Sequence, residues 1–141
     1  MIKSFAVPTR GERNNNPGNI RKSKTAWQGK VDNLAGVVDE VSFVQFSSAS
    51  YGIRAIGKII GTYYNKYNLV TVHDIISRWA PDSENDTGAY VGAVCVSCGV
   101  SENEQLVLNA KTLANIVTAI IYHENGRCIY PPQYILDGLA L

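Results

Sequence analysis

The stretch "NAKTLANIVTAIIYHENG", Asn109 to Gly126, decides the fold. Leu113, Ile116, Val117, Ile120 and Ile121 recur at i, i+3, i+4, i+7 and i+8, an apolar stripe wide enough to face a core along a whole helix. Asn125 and Gly126 then supply a left-handed cap. Glu124 stands eleven positions after Leu113. Eleven steps of about 100° return to within about 20° of the starting direction, so a carboxylate shares the buried stripe. Burying an ionised carboxylate is costly, and such a group either finds a cationic or hydrogen-bonding partner or takes a raised pKa. A raised pKa suits a general acid near neutral pH, as in glycoside hydrolysis. The alternative is a helix-end Glu that reaches water or pairs with Arg13, Arg54 or Arg127. His123 points about 100° away and reads as a surface or hydrogen-bonded residue.

Working outward, Ile53, Ile56, Ile60, Tyr63 and Tyr67 step by three and four, predicting a helix from about Ser48 to Tyr67. Thr71 reads as the N-cap of a second helix, with Asp74 three residues on, Ile75, Ile76 and Trp79 as its buried stripe and Pro81 as its end. "SEND" repeats the device, with Ser83 as N-cap and Asp86 at N3, ahead of a helix carrying Tyr90, Val91 and Val94 and closed by Gly99. The tail "CIYPPQYILDGLAL" predicts a Pro-Pro break and one final helical turn. On the N-terminal side, "TAWQGKVDNLAGVVDEVSFVQF" mixes Gly and Asp-Asn breaks with short alternations at Val41, Phe43 and Phe46, predicting a small antiparallel β region over roughly 25–46. Before it, "RGERNNNPGNIR", Arg10 to Arg21, packs four Asn, two Gly and one Pro into twelve positions and reads as an ordered loop. The expectation is a single α+β domain over residues 1–141, mainly helical, with the Asn-rich loop and β region at about 11–46 and a helical lobe at about 48–126.

Composition restricts the function. With 141 residues, 45% of them hydrophobic, 18% charged and a formal net charge of +1, no electrostatic argument favours nucleic acid or an anionic membrane. No apolar run has the length of a membrane span or a signal core, so synthesis in the bacterial cytoplasm is expected, with any export by another route. Cys95, Cys98 and Cys128 lack a second ligand pair and read as small half-buried thiols rather than a zinc or redox centre. "HE" in "YHENG" lacks the second His of a metalloprotease helix, and no Ser-His-Asp order is present. No metal or cofactor is expected.

Several strings carry a resemblance. "RNNNPGNIR", "WQG", "FVQFSSASYGIRA" and "RWAPDSENDTGAYV" together resemble phage and prophage proteins labelled virion structural or peptidoglycan-hydrolase-like, over roughly Gly11 to Gly126. A second similarity is to flagellar-type glucosaminidases of the lysozyme-like superfamily, whose "N-L-F-G-I-K", W-x-G and "F-x-x-Y-x-S" strings have counterparts in the order "NPGNIR", "WQG" and "FVQFSSASYGIRA". The family's helix ending in a catalytic Glu is missing upstream, while one ending "YHENG" closes this chain. A circularly permuted lysozyme-like domain explains that order, since the termini of a domain often lie close together. Asn125 stands where the family has Ser after the Glu, and Gly18 where its loop has Phe.

This resemblance implies Glu124 as general acid and Asp39 or Glu40 as second acid, helped by Glu12. Arg13, Asn14, Asn15, Asn16 and Asn19 would wall the groove, with Trp27, Gln28, Tyr51, Tyr90 and Glu84 as further sugar contacts; Trp79 reads as core and Asp86 as a helix cap. Peptidoglycan glycan strands are the implied substrate of a monomer, and other virion proteins its implied partners. The rival expectation is a non-catalytic virion or wall-binding protein on the same scaffold.

Overall fold

The computed structural model describes residues 7–34, 36–37 and 40–141. Its elements are α1 (Arg10–Arg13), β1 (Lys30–Val31), β2 (Gln45–Phe46), α2 (Ala49–Tyr67), α3 (Val72–Trp79), α4 (Thr87–Cys98), α5 (Ala110–Asn125) and α6 (Pro132–Leu139). The fold is α+β, mainly helical, with one small antiparallel sheet in which Lys30 faces Phe46 and Val31 faces Gln45. An isolated bridge between Arg21 and Phe43 continues the pairing toward the Asn-rich loop. Among the described residues no helix is long and apolar enough to cross a membrane.

Local chemistry explains the helix boundaries. Thr71 accepts from the Asp74 N–H and starts α3, while Asn109 accepts from the Thr112 N–H at 2.9 Å and starts α5. Gly99 and Gly126 close α4 and α5 in the left-handed conformation, as their positions predicted. Ile53, Ile56 and Ile60 of α2, Ile75 and Ile76 of α3, Tyr90 and Val94 of α4, Ile116, Ile120 and Ile121 of α5 and Ile135 of α6 are all fully buried in one cluster. Each aliphatic member contributes about 1.5–3 kcal/mol by leaving water. Helices α2 and α6 approach closely because Gly138 has no side chain: a Cβ there would stand 2.9 Å from Ile53 Cγ2.

Four expectations need correction. Arg10–Arg13 is a helical turn rather than loop, because Thr9 and Glu12 form a reciprocal capping box. Strand pairing is confined to two residues per strand, and Val41 is 79% exposed outside it. Asp86, not Ser83, caps α4 by accepting from the Ala89 N–H at 3.1 Å, so the helix starts after "SEND". The tail forms an eight-residue helix, α6, begun by Pro132, a residue whose fixed φ suits a first helical position.

Side-chain amides of the Asn-rich segment supply much of its bracing. Asn16 is completely buried; its side chain donates to the carbonyls of Ile20 and Val44 at 2.9 and 2.8 Å and accepts from the Ile20 N–H at 3.0 Å. Asn15 donates to the Phe46 carbonyl, and Asn15 and Asn19 adopt φ of 52° and 50°, a region that Asn tolerates better than most residues. The loop lies flush on α2 at Gly52, where any Cβ would collide with the Asn15 carbonyl oxygen.

Candidate active site

Glu124 is the penultimate residue of α5, and Glu124, Asn125 and Arg127, at the end of that helix and just beyond it, are bonded to the segment from Thr9 to Asn19. Asn125 accepts from the Thr9 hydroxyl at 2.6 Å and donates to the Pro17 carbonyl at 2.8 Å. Arg127 pairs with Glu12 through two of its nitrogens. Asn19 donates to Glu124 Oε1 at 3.2 Å. The Asn-rich segment therefore reaches the helix-end carboxylate through one asparagine of its four.

The second carboxylate oxygen accepts from the Tyr90 hydroxyl at 2.8 Å, and the Tyr90 oxygen accepts in turn from Trp79 Nε1 at 3.0 Å. Burial first, and the charge of Glu124 second, push the Tyr90 phenol well above its ordinary pKa, so it stays protonated as a donor. Tyr90 is wholly buried and its ring stacks on His123, with 3.7 Å between centroids. Among the described residues no arginine, lysine or histidine lies within 4.0 Å of the Glu124 oxygens as an ion pair. Glu124 is thus a half-buried carboxylate held by two neutral donors rather than by a cation.

Glu124 faces a cleft of ≈ 360 Å³ lined also by Gly18, Asn19, Arg21, Phe43, Tyr63, Trp79 and Glu84. Phe43 is flanked by two guanidinium groups, with Arg10 Cζ 5.0 Å and Arg21 Cζ 5.2 Å from its centroid. Arg21, Phe43, Tyr63 and Asn85 of this lining escaped sequence reasoning; the Arg21–Phe43 strand bridge that brings the first two together is a non-local pairing with no short-range signature. Trp79 packs against the core as predicted and also lines the cleft.

The other predicted site residues lie elsewhere. Asn14 donates to Glu40 at 2.5 Å and accepts from Gln45, so it ties the loop to β2. Burial raises the Glu40 pKa, yet hydrogen bonds from Asn14 and from the Ser42 and Phe43 N–H groups, with Arg10 near, outweigh it and hold the carboxyl below its ordinary value. Glu40 is thus engaged as an anion away from the cleft lining, and Asp39 lies outside the described residues. Arg13 donates to the Pro8 carbonyl, Gln28 is exposed, and Tyr51 packs where a Cβ at Gly29 would be. Trp27 lines a neighbouring cavity. Among the described residues no group of three or more His, Cys, Asp or Glu is placed to hold a metal ion. Cys95, Cys98 and Cys128 are half-buried thiols; burial pushes all three up, Cys98 to about 11.

Glu12 acts as a brace. The Arg127 hydrogen bond, more than any other influence, lowers its pKa from the ordinary 4.5, and Thr9 adds to the effect against the opposing cost of burial. A depressed carboxylate contributes stability that is present in full above its unfolded value and is lost as pH falls through the folded one. The urea-midpoint difference between the native protein and Glu12→Gln is therefore expected to hold steady from neutrality to about pH 5 and to shrink below that. A difference unchanged down to acid unfolding would show that the pair carries no such linkage.

Fold and site define a helical α+β protein with a helix-end carboxylate that faces a cleft and is held by neutral donors. No family model matches the chain. It is 37% identical over 133 residues to Protein P5 of Pseudoalteromonas phage PM2, spanning 92% of this chain and 79% of that protein. The chain belongs to the same family as that phage protein.

Proposed function

We propose that this phage-related protein cleaves the glycan strands of peptidoglycan, with Glu124 as the general acid, on a circularly permuted lysozyme-like scaffold. The observation that carries the reading is the setting of Glu124: a helix-end carboxyl, half-buried, facing a cleft, and bonded by Tyr90 and Asn19 instead of by a cation. In that setting the carboxylic acid can hand its proton to the glycosidic oxygen as the C–O bond breaks, and the resulting anion is received by two preorganised donors. Trp79, Tyr63 and Phe43 offer apolar faces, and Asn19, Asn85 and Arg21 offer polar partners, a mixture that suits a sugar chain. Among the described lining residues Glu84 is the other carboxylate, and it is exposed.

Two fates of the cleaved bond give different products. Attack by water adds one water across the bond and creates a new reducing end; attack by the muramic 6-hydroxyl on C1 closes a 1,6-anhydro ring and creates none. Incubating purified protein with insoluble peptidoglycan and weighing the soluble fragments by mass spectrometry distinguishes these, and either product supports the proposal. Tight retention on the wall with no soluble fragment would replace it by the reading of a non-catalytic virion or wall-binding protein.

A further inference from the structure

We infer that the groove does not end at the Glu124 cleft but continues into a second sugar subsite built around Trp27. This rests on the glycan reading above. The neighbouring cavity of ≈ 460 Å³ shares Ile20, Ile59 and Tyr63 with the cleft, so the two lie side by side across a common wall. Each volume lies in the range of small-molecule sites, about 300–1,000 Å³, leaving room for separate sugar units.

The chemistry of the second cavity repeats that of the first. The chain has two tryptophans, and each cavity takes one: Trp79 lines the cleft and Trp27 lines its neighbour. Tyr63 and Tyr67 also line it, with Arg78 over both rings, 5.3 and 4.2 Å from their centroids. Flat rings of this kind match the apolar face of a pyranose. A further observation singles out Trp27. Its Nε1–H is buried with no acceptor among the described residues. An unmet buried donor costs about 1–3 kcal/mol, so a small movement of the ring that uncovers the N–H to a sugar hydroxyl or acetamido oxygen recovers part of that cost. Binding energy collected at this distance from the bond being cut can be used to hold a long strand in register over Glu124.

The two indole N–H groups make a direct test. Glu124→Gln protein labelled with ¹⁵N-tryptophan gives two indole signals, assigned through Trp27→Phe and Trp79→Phe. It is titrated with the peptide-free GlcNAc–MurNAc disaccharide and with the corresponding hexasaccharide. The hexasaccharide is expected to shift the signals of both tryptophans and the disaccharide that of Trp79 alone. Trp27→Phe should weaken hexasaccharide binding about tenfold without changing that of the disaccharide. A hexasaccharide that is cleaved by the native protein and shifts Trp79, yet leaves the Trp27 signal in place, overturns the subsite and leaves the cleavage reading standing. No shift at either tryptophan, together with no product from the native protein, removes both. Should Trp27→Phe fail to fold, the titration of the Glu124→Gln protein decides by itself.

Discussion

Glu124→Gln is expected to lower glycan cleavage by about 10²–10⁴-fold or more while leaving the protein folded. The glutamine fills the same volume but carries no transferable carboxylic proton, so the leaving oxygen must depart unprotonated. Its effect on stability follows from the two bonds that the carboxylate accepts. The amide oxygen can keep one of them, from Tyr90 or from Asn19, and its NH₂ then meets the other donor. The Tyr90 oxygen can still accept, although it already receives the Trp79 N–H. A mismatch of this size costs about 1 kcal/mol, a melting shift of at most about 5 °C. The measurement pairs release of soluble wall fragments with thermal unfolding of the same preparation. Fragment release by the variant at the native rate would remove Glu124 from the mechanism, and a loss of activity that tracks a loss of folded protein would remove the argument from it.

Why Glu124 was legible in the sequence, and its partners were not, is a matter of range. Helix periodicity is local: the stripe from Leu113 to Ile121 fixes the face of α5, and one more step of the same geometry puts Glu124 on it. The same logic places Tyr90 on the buried face of α4 and Ile53, Ile56 and Ile60 on that of α2. Nothing local says that α4 and α5 pack so that the Tyr90 hydroxyl meets Glu124, since those residues are 34 positions apart. The asparagines show the opposite limit. Their types announced an ordered segment, but which amide holds the loop and which faces the cleft depends on contacts with β2 and α5 from far along the chain. A local signal was also present at Thr9-x-x-Glu12: this capping box starts α1, and composition alone read the segment as loop. The β region fell short for a physical reason as well, because strands of two residues leave almost no periodicity to read.

Asn16→Ala is expected to produce the largest loss of stability of any single change in the loop, about 3–4 kcal/mol, or a melting point lower by about 10 °C. Its side chain makes three hydrogen bonds, all to backbone groups, in a site with no exposure. Alanine leaves the Ile20 N–H and the Ile20 and Val44 carbonyls without those partners, and burial prevents water from replacing them freely. Asn16→Asp is no rescue: it keeps an acceptor for the Ile20 N–H but loses the NH₂ that serves two carbonyls, and it brings a charge into the interior. Asn15→Ala, which removes one bond to the Phe46 carbonyl, should cost only about 1 kcal/mol plus the strain of a left-handed alanine. The order Asn16 above Asn15 in thermal melts is the result to look for, and an Asn16→Ala protein within about 1 kcal/mol of the native one would show that the loop is held by something else. The site depends on this brace. Asn16 fixes the backbone at Ile20, and the residues on either side, Asn19 and Arg21, line the cleft, so the variant should lose the Asn19 contact to Glu124 before it loses its helices. An asparagine that never touches substrate would in that way limit activity through the geometry of the one beside the carboxylate.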